Sequence, residues 1–190
     1  LPRSNEMQFK SLLAKPFASF VSRSVQRDAQ NALSDQEQWL SQLLKTGRET
    51  LFGKDHRFRE VKKYEDFREA VPVRDYEAIK KYIDLVKEGK HNILWKGRPI
   101  YFAKTSGTTS GVKYIPISKQ SIHNHIDSAR NALLSYIAET GNSQFTNGKM
   151  IFLSGSPELD RLGGIPTGRL SGIVNHHVPS YLRRNQLPAY

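Results

Sequence analysis

The chain has 190 residues, 37% of them hydrophobic and 25% charged, with a formal net charge of +11 and no cysteine. That composition predicts a folded chain with a core of its own. It excludes disulfides and thiolate metal sites, and no apolar run approaches the ~20 residues of a membrane helix. The N-terminal residues, Leu1-Pro-Arg-Ser-Asn-Glu6, lack a signal-peptide core, so the expected location is cytoplasmic and no membrane partner is expected. The basic residues alternate with acidic ones, as in Lys54-Asp-His-Arg-Phe-Arg-Glu60. No zinc-finger or RNA-recognition signature occurs, so small anions rank above nucleic acid as ligands.

Residues 1–95 read as a helical region. Phe9, Leu12, Leu13, Phe17, Phe20 and Val21 fit one amphipathic helix, which Pro16 is expected to interrupt. Ser34-Asp-Gln-Glu37 has the form of a capping box, followed by Trp39, Leu40, Leu43 and Leu44 on one face, with Gly47 as a stop. Trp39 and Trp95 are expected in the core. Tyr64-Glu-Asp-Phe67 suggests a short helix closed by Val71-Pro72. Asp75 can cap the next helix, where Tyr76, Ile79, Ile83 and Val86 recur at helical spacing before Gly89.

The pattern changes over residues 96–190. Pro99-Ile-Tyr-Phe-Ala103 and Tyr114-Ile-Pro-Ile117 read as short strands, the second at an edge because of Pro116. A helix follows, capped by Ser118 or Ser121, carrying Ile122, Ile126, Ala129, Leu133 and Ile137, and ended by Gly141. Lys149-Met-Ile-Phe-Leu-Ser154 suggests a buried strand. Beyond Gly155 the chain is rich in Gly, Pro and Ser around Gly163-Gly-Ile-Pro166. Helices followed by strand–loop–strand–helix–strand indicate an α/β fold, with both regions expected to be parts of one larger, truncated domain. Such truncation would leave apolar surface exposed and favour self-association.

Between the two strands, Thr105, Ser106, Gly107, Thr108, Thr109, Ser110 and Gly111 are all small or hydroxylated, and Lys113 follows. Hydroxyls donate to phosphate oxygens. Glycines let successive N–H groups form an anion nest, and Lys113 adds a full charge. A triphosphate with magnesium suits such a loop. A flexible linker is the plain alternative, but a linker would have polar flanks rather than apolar strands. A Walker loop needs four residues between its glycines, then Lys, opening a helix. Here three residues separate Gly107 from Gly111, Val112 stands at the lysine position, and an apolar strand follows.

Residues Phe102 through Lys113 match, position by position, the phosphate-loop pattern of the acyl-adenylate-forming superfamily, which includes firefly luciferase and acyl-CoA synthetases. Phe67-Arg-Glu-Ala-Val-Pro-Val73, Tyr76-Glu-Ala-Ile79, Gly97-Arg-Pro-Ile100, Gly148-Lys-Met-Ile-Phe152 and Gly163-Gly-Ile-Pro166 narrow the likeness. Together they resemble the Gretchen Hagen-type, auxin-responsive acyl acid–amido synthetases over roughly residues 35 to 185. The plant loop is one residue longer before its Met-Pro equivalent, and the acyl-pocket helix differs in detail.

That resemblance implies a ligase using ATP and Mg2+. A carboxylate attacks the α-phosphate to give an acyl-adenylate, and an amine, usually of an amino acid, then forms the amide. It implies Lys113 as the catalytic cation and residues 105–111 as the nucleotide loop. Ser106, Thr108 and Thr109 are the foremost phosphate contacts. Arg130, on the helix after the loop, is a candidate for the acid's carboxylate, against the plainer reading of a solvent-facing arginine. Gly164 is a candidate near the acyl group, with Gly163, Gly164 and Pro166 more naturally shaping a turn. Adenine and ribose contacts, and a mobile C-terminal domain, are implied downstream, so the chain alone is not expected to turn over. A non-catalytic nucleotide-binding module is the alternative, with a basic nucleic-acid binder behind it. His123 and His125 point to different helix faces, and His176-His177 has no carboxylate near it in sequence, so no metal site is expected.

Overall fold

The computed structural model describes residues 4–105, 111–178 and 186–188. The first helix, α1 (Ser4–Gln30), runs straight through Pro16. Proline removes one N–H, and the carbonyl it strands belongs to Leu12, whose side chain is 69% exposed, on the watered side of the helix. The opposite side, with Ala18 and Val21, is buried and holds the helix together across the proline. It packs on α6 (Ser121–Thr140).

The Ser34 capping box does not form. The chain is already helical there, because α2 (Ala32–Gly47) starts at Asn31, whose N–H still donates to Arg27. The Ser34 hydroxyl instead donates to the Asn31 carbonyl at 3.0 Å. Of the expected apolar face, Leu44 is buried, but Trp39 is 57% exposed and is no core residue.

Three shorter helices lead to the sheet. Thr50 caps α3 (Leu51–Asp55) by accepting from the Gly53 N–H at 3.0 Å. Asp66 closes the start of α4 (Tyr64–Ala70) by accepting from the Lys62 and Lys63 N–H groups, which lowers its pKa. Asp75 caps α5 (Tyr76–Lys87) as its sequence position predicts, accepting from Ala78 N–H at 3.0 Å. The predicted stop at Gly89 is present at φ +87.

Among the described residues the main sheet has four strands in the order β2-β1-β5-β4. They are β1 (Tyr101–Lys104), β2 (Tyr114–Ile117), β4 (Asp160–Leu162) and β5 (Ile165–Gly168). The β1–β2 and β4–β5 pairs are antiparallel, and β1 runs parallel to β5. Strand β1 is buried on both faces because successive side chains point opposite ways. Phe102 enters one core with Tyr82, Ile83 and Val86 of α5, Ile93 and Ile165. Ala103 enters the other with Ile117, Ile122 and Ile173, the last from α7 (Leu170–Asn175). Helices thus cover both faces of the sheet, the α/β layering expected from the sequence.

The described part of the glycine-rich region forms two strands and a short helix. Gly163 and Gly164, at φ +57 and +78, turn the β4–β5 hairpin. A Cβ at Gly163 would lie 1.9 Å from the Lys87 carbonyl oxygen, so this turn can press on the end of α5 only as glycine. Arg98 fastens it by donating to the Gly163 carbonyl at 2.5 Å. The predicted buried strand over 149–154 is corrected in both length and burial. Only β3 (Met150–Ile151) forms, paired parallel with β6 (Gln186–Leu187), and Ile151 and Leu153 are 73% and 98% exposed.

Candidate functional site

The hydroxyl-rich loop leaves β1 and returns as β2. Its neck is closed by Thr105. The Thr105 N–H donates to the Lys113 carbonyl at 3.0 Å, and the Lys113 N–H reaches the Thr105 hydroxyl oxygen at 3.3 Å. Ser106, Gly107, Thr108, Thr109 and Ser110 lie outside the described residues. At the return, Gly111 has φ +77, and among the described residues nothing lies within 4 Å of where a Cβ would stand. Residues 114–117 form a strand and the next helix starts at Ser121. A Walker loop, which runs directly into a helix, does not fit that order.

Two lysines flank the loop and differ in their partners. Lys104 Nζ is 2.5 Å from Asp160 Oδ2, across the sheet on β4. Lys113, half-buried, forms no ion pair among the described residues. Its ammonium stands 5.6 Å from the centre of the Tyr76 ring. A cation left unneutralised beside a glycine-bearing turn suits a polyanion. Lys113 thus stands at the loop's return beside Tyr76, and Lys104 at its departure is paired with Asp160.

Tyr76 was not legible as a site residue. Its hydroxyl accepts from the Tyr114 N–H at 2.9 Å and lies 3.5 Å from the Tyr114 carbonyl. Lys87, itself held by Asp84 at 3.0 Å, places its ammonium 4.6 Å from the Tyr114 ring centre. The first and last residues of α5 thus both grip the first residue of β2. In the sequence Tyr76 stands out only as one of the helically spaced residues and as part of the stretch Tyr76-Glu-Ala-Ile79.

The other candidates are distributed more widely. Arg130 is exposed on α6, where it pairs with Asp127 at 3.0 Å and donates to Asn131. Gly164 lies in the β4–β5 turn, and its carbonyl accepts from Arg161 at 3.1 Å. No group of three or more His, Asp or Glu side chains that could hold a metal ion occurs among the described residues. His177 stacks edge-on against Tyr101 at 5.7 Å, and burial, with smaller effects of His176 and His123, lowers its pKa. An open groove of about 1050 Å³ lies between α2 and residues 92–96, bordered by Glu37, Lys45, Arg48, Glu49 and Lys96. Its mixed charges converge on nothing.

A family model described as the GH3 family N-terminal domain matches residues 21–187, and the chain belongs to that family. Among solved structures it is similar to "AtGH3.15 acyl acid amido synthetase in complex with 2,4-DB", at 20% identity and a TM-score of 0.66, over 77% of this chain and 26% of that one. A second, "GH3.15 acyl acid amido synthetase", aligns at 20% identity and a TM-score of 0.56, over 74% of this chain and 27% of that one. The chain thus spans about a quarter of the length of these structures, and at that identity the likeness shows the fold. No curated protein sequence matches it. No helix among the described residues is long and apolar enough to cross a membrane.

Proposed function

We propose that this chain is the phosphate-binding front of a ligase that activates a carboxylic acid as its adenylate and passes the acyl group to an amine, such as that of an amino acid, to form an amide. The observation that carries this reading is the strand–loop–strand unit closed by Thr105, with Lys113 unneutralised at its exit. Family membership and the likeness to acyl acid amido synthetases support it. ATP is the phosphate donor on this reading. The turn at Gly111 fits a polyphosphate chain. Magnesium would arrive on the phosphate oxygens.

When a carboxylate displaces pyrophosphate, negative charge grows on the leaving group. On this reading the loop's N–H groups and hydroxyls, with the Lys113 ammonium, would stabilise that charge. Ser106, Thr108 and Thr109 supply the hydroxyls in this scheme. Arg130 would have to exchange Asp127 for the substrate carboxylate. The 190 residues bind the nucleotide's phosphates without completing the reaction, because a labile adenylate must be kept from water by further structure. Carboxylate-dependent exchange of pyrophosphate into ATP, measured on the longest natural form of the protein over aromatic and aliphatic acids, tests the enzymatic reading. Binding of ATP with no exchange for any acid would favour a non-catalytic nucleotide module.

A further inference from the structure

The edge strand that receives the loop has an unusual anchor. The Thr105 N–H donates to the Lys113 carbonyl one step beyond the last β1–β2 pair, at a hydrogen-bonding position of that register. The next pair, Lys104 and Tyr114, is then a non-bonded pair, whose backbone groups point away from the partner strand. At Tyr114 those groups face away from β1, and among the described residues β2 is the last strand on that side. Pro116, two residues on, has no N–H to present there. Tyr114 does, and the Tyr76 hydroxyl takes it at 2.9 Å. The same ring stands 5.6 Å from the Lys113 ammonium, within cation–π range. One side chain therefore fixes the backbone just after Lys113 and also faces its charge.

We infer that Tyr76 is a positioning residue for the phosphate loop, holding Lys113 in place through its hydroxyl bond to Tyr114 and through its ring. The inference rests on the phosphate-binding reading given above. Its anchor is firm, because α5 carries Ile83 and Val86 into the same core as Phe102 of β1. The tyrosine is thus tied to the strand on which the loop begins as well as to the one on which it ends.

The test compares Tyr76→Phe, Tyr76→Ala and Lys113→Ala with the unaltered chain. Mg·ATP is titrated by calorimetry, amide exchange at Tyr114 is followed by NMR, and each variant's unfolding midpoint is measured. Tyr76→Phe keeps the ring and removes one hydrogen-bond acceptor. It should speed Tyr114 exchange and raise the Kd for Mg·ATP about three- to tenfold, the worth of one such bond. Tyr76→Ala should weaken Mg·ATP further. A merely structural role would lower the unfolding midpoint and leave the Mg·ATP affinity of the folded protein unchanged, and that pattern overturns the inference. So does Mg·ATP affinity unchanged in Tyr76→Phe while Lys113→Ala has lost it. Should the unaltered chain bind Mg·ATP no better than Lys113→Ala does, the phosphate reading itself fails and takes this inference with it. Tyr76→Phe changes least, so the comparison holds even where Tyr76→Ala does not fold.

Discussion

Lys113→Ala separates the role of a charge from the role of a structural contact. In the folded chain the Lys113 side chain makes a partly exposed cation–π contact with Tyr76 and no ion pair among the described residues. Such a contact is worth about 0.5–1 kcal/mol. The bond from its backbone N–H to the Thr105 hydroxyl survives truncation. Unfolding should therefore cost at most about 1 kcal/mol less, a fall of roughly 2–4 °C in Tm for a domain of this size. The loss in phosphate binding should be larger. A hydrogen bond to a charged group contributes about 1.5–3 kcal/mol, which raises the Kd for Mg·ATP about 10- to 150-fold. In adenylation the expected cost is of order 2–4 kcal/mol, as for other groups that stabilise developing charge. Calorimetric titration with Mg·ATP, paired with thermal unfolding, measures both. A Kd within twofold of the unaltered chain's would refute the assignment of Lys113. A large drop in Tm would show that its structural role had been underestimated.

Three further outcomes follow from the fold. Gly163→Ala should destabilise by about 2–4 kcal/mol, since its Cβ meets the Lys87 carbonyl at 1.9 Å and its φ is positive; a urea midpoint unchanged from the parent's would contradict this packing of the hairpin on α5. Leu153→Ser should change stability by less than about 0.5 kcal/mol, because Leu153 is 98% exposed, and the same variant measured for solution mass reports whether this apolar segment drives self-association. His177 is held below the ordinary histidine value by burial and by its histidine neighbours. The unfolded chain therefore takes a proton on it at higher pH than the folded chain does. Its contribution to stability is full above about pH 6.5 and is lost as pH falls below that value. Urea midpoints at about pH 7.5 and about pH 5.5 should differ less in His177→Gln than in the parent, and an equal difference would rule out this histidine as a source of the dependence.

What could be read from the sequence was what local chemistry decides. The Asp75 cap, the stops at Gly89 and Gly141, and the edge position of Pro116 each depend on one residue's backbone or side-chain preference. Ser118 caps the start of α6 reciprocally with Ser121, each bond near 3 Å, again a local exchange. The strand–loop–strand order was legible because apolar runs bracket a stretch with no apolar residue. Failures came where tertiary context overrides local preference. Burial of Ala18 and Val21 carries α1 through Pro16. Helical continuity at Asn31 leaves the Ser34 box nothing to cap. The apolar run at 149–154 named a strand rightly at its first residues, but burial is set by what packs on it, which periodicity cannot report. The turn at Gly163 and Gly164 was legible, but the two short strands it joins and their packing against α5 were not. Tyr76 was read only as a helically spaced residue and part of a family-like stretch. Its bond to Tyr114, 38 residues away, could not be read from either.

The order of elements also explains why so much should rest on a single lysine. Where a phosphate loop runs into a helix, the helix N-terminus contributes aligned N–H groups and about half a positive charge. Here the loop runs into an edge strand, and α6 begins only at Ser121. Strand dipoles nearly cancel, so that source of positive potential is missing at residue 112. On the proposed reading the deficit is met by side chains, and their placement must be fixed by other means. Lys104 is committed to Asp160, which leaves Lys113 as the flanking cation available to a polyanion. Its backbone is pinned in front by Thr105 and behind by Tyr76 acting on Tyr114. Electrostatic stabilisation is effective when the charge need not move as the reaction proceeds. A lysine on a loose Ser/Gly loop would have to be ordered anew by each ligand. This one stands at the loop's hinge to the sheet, where the ordering is done by folding.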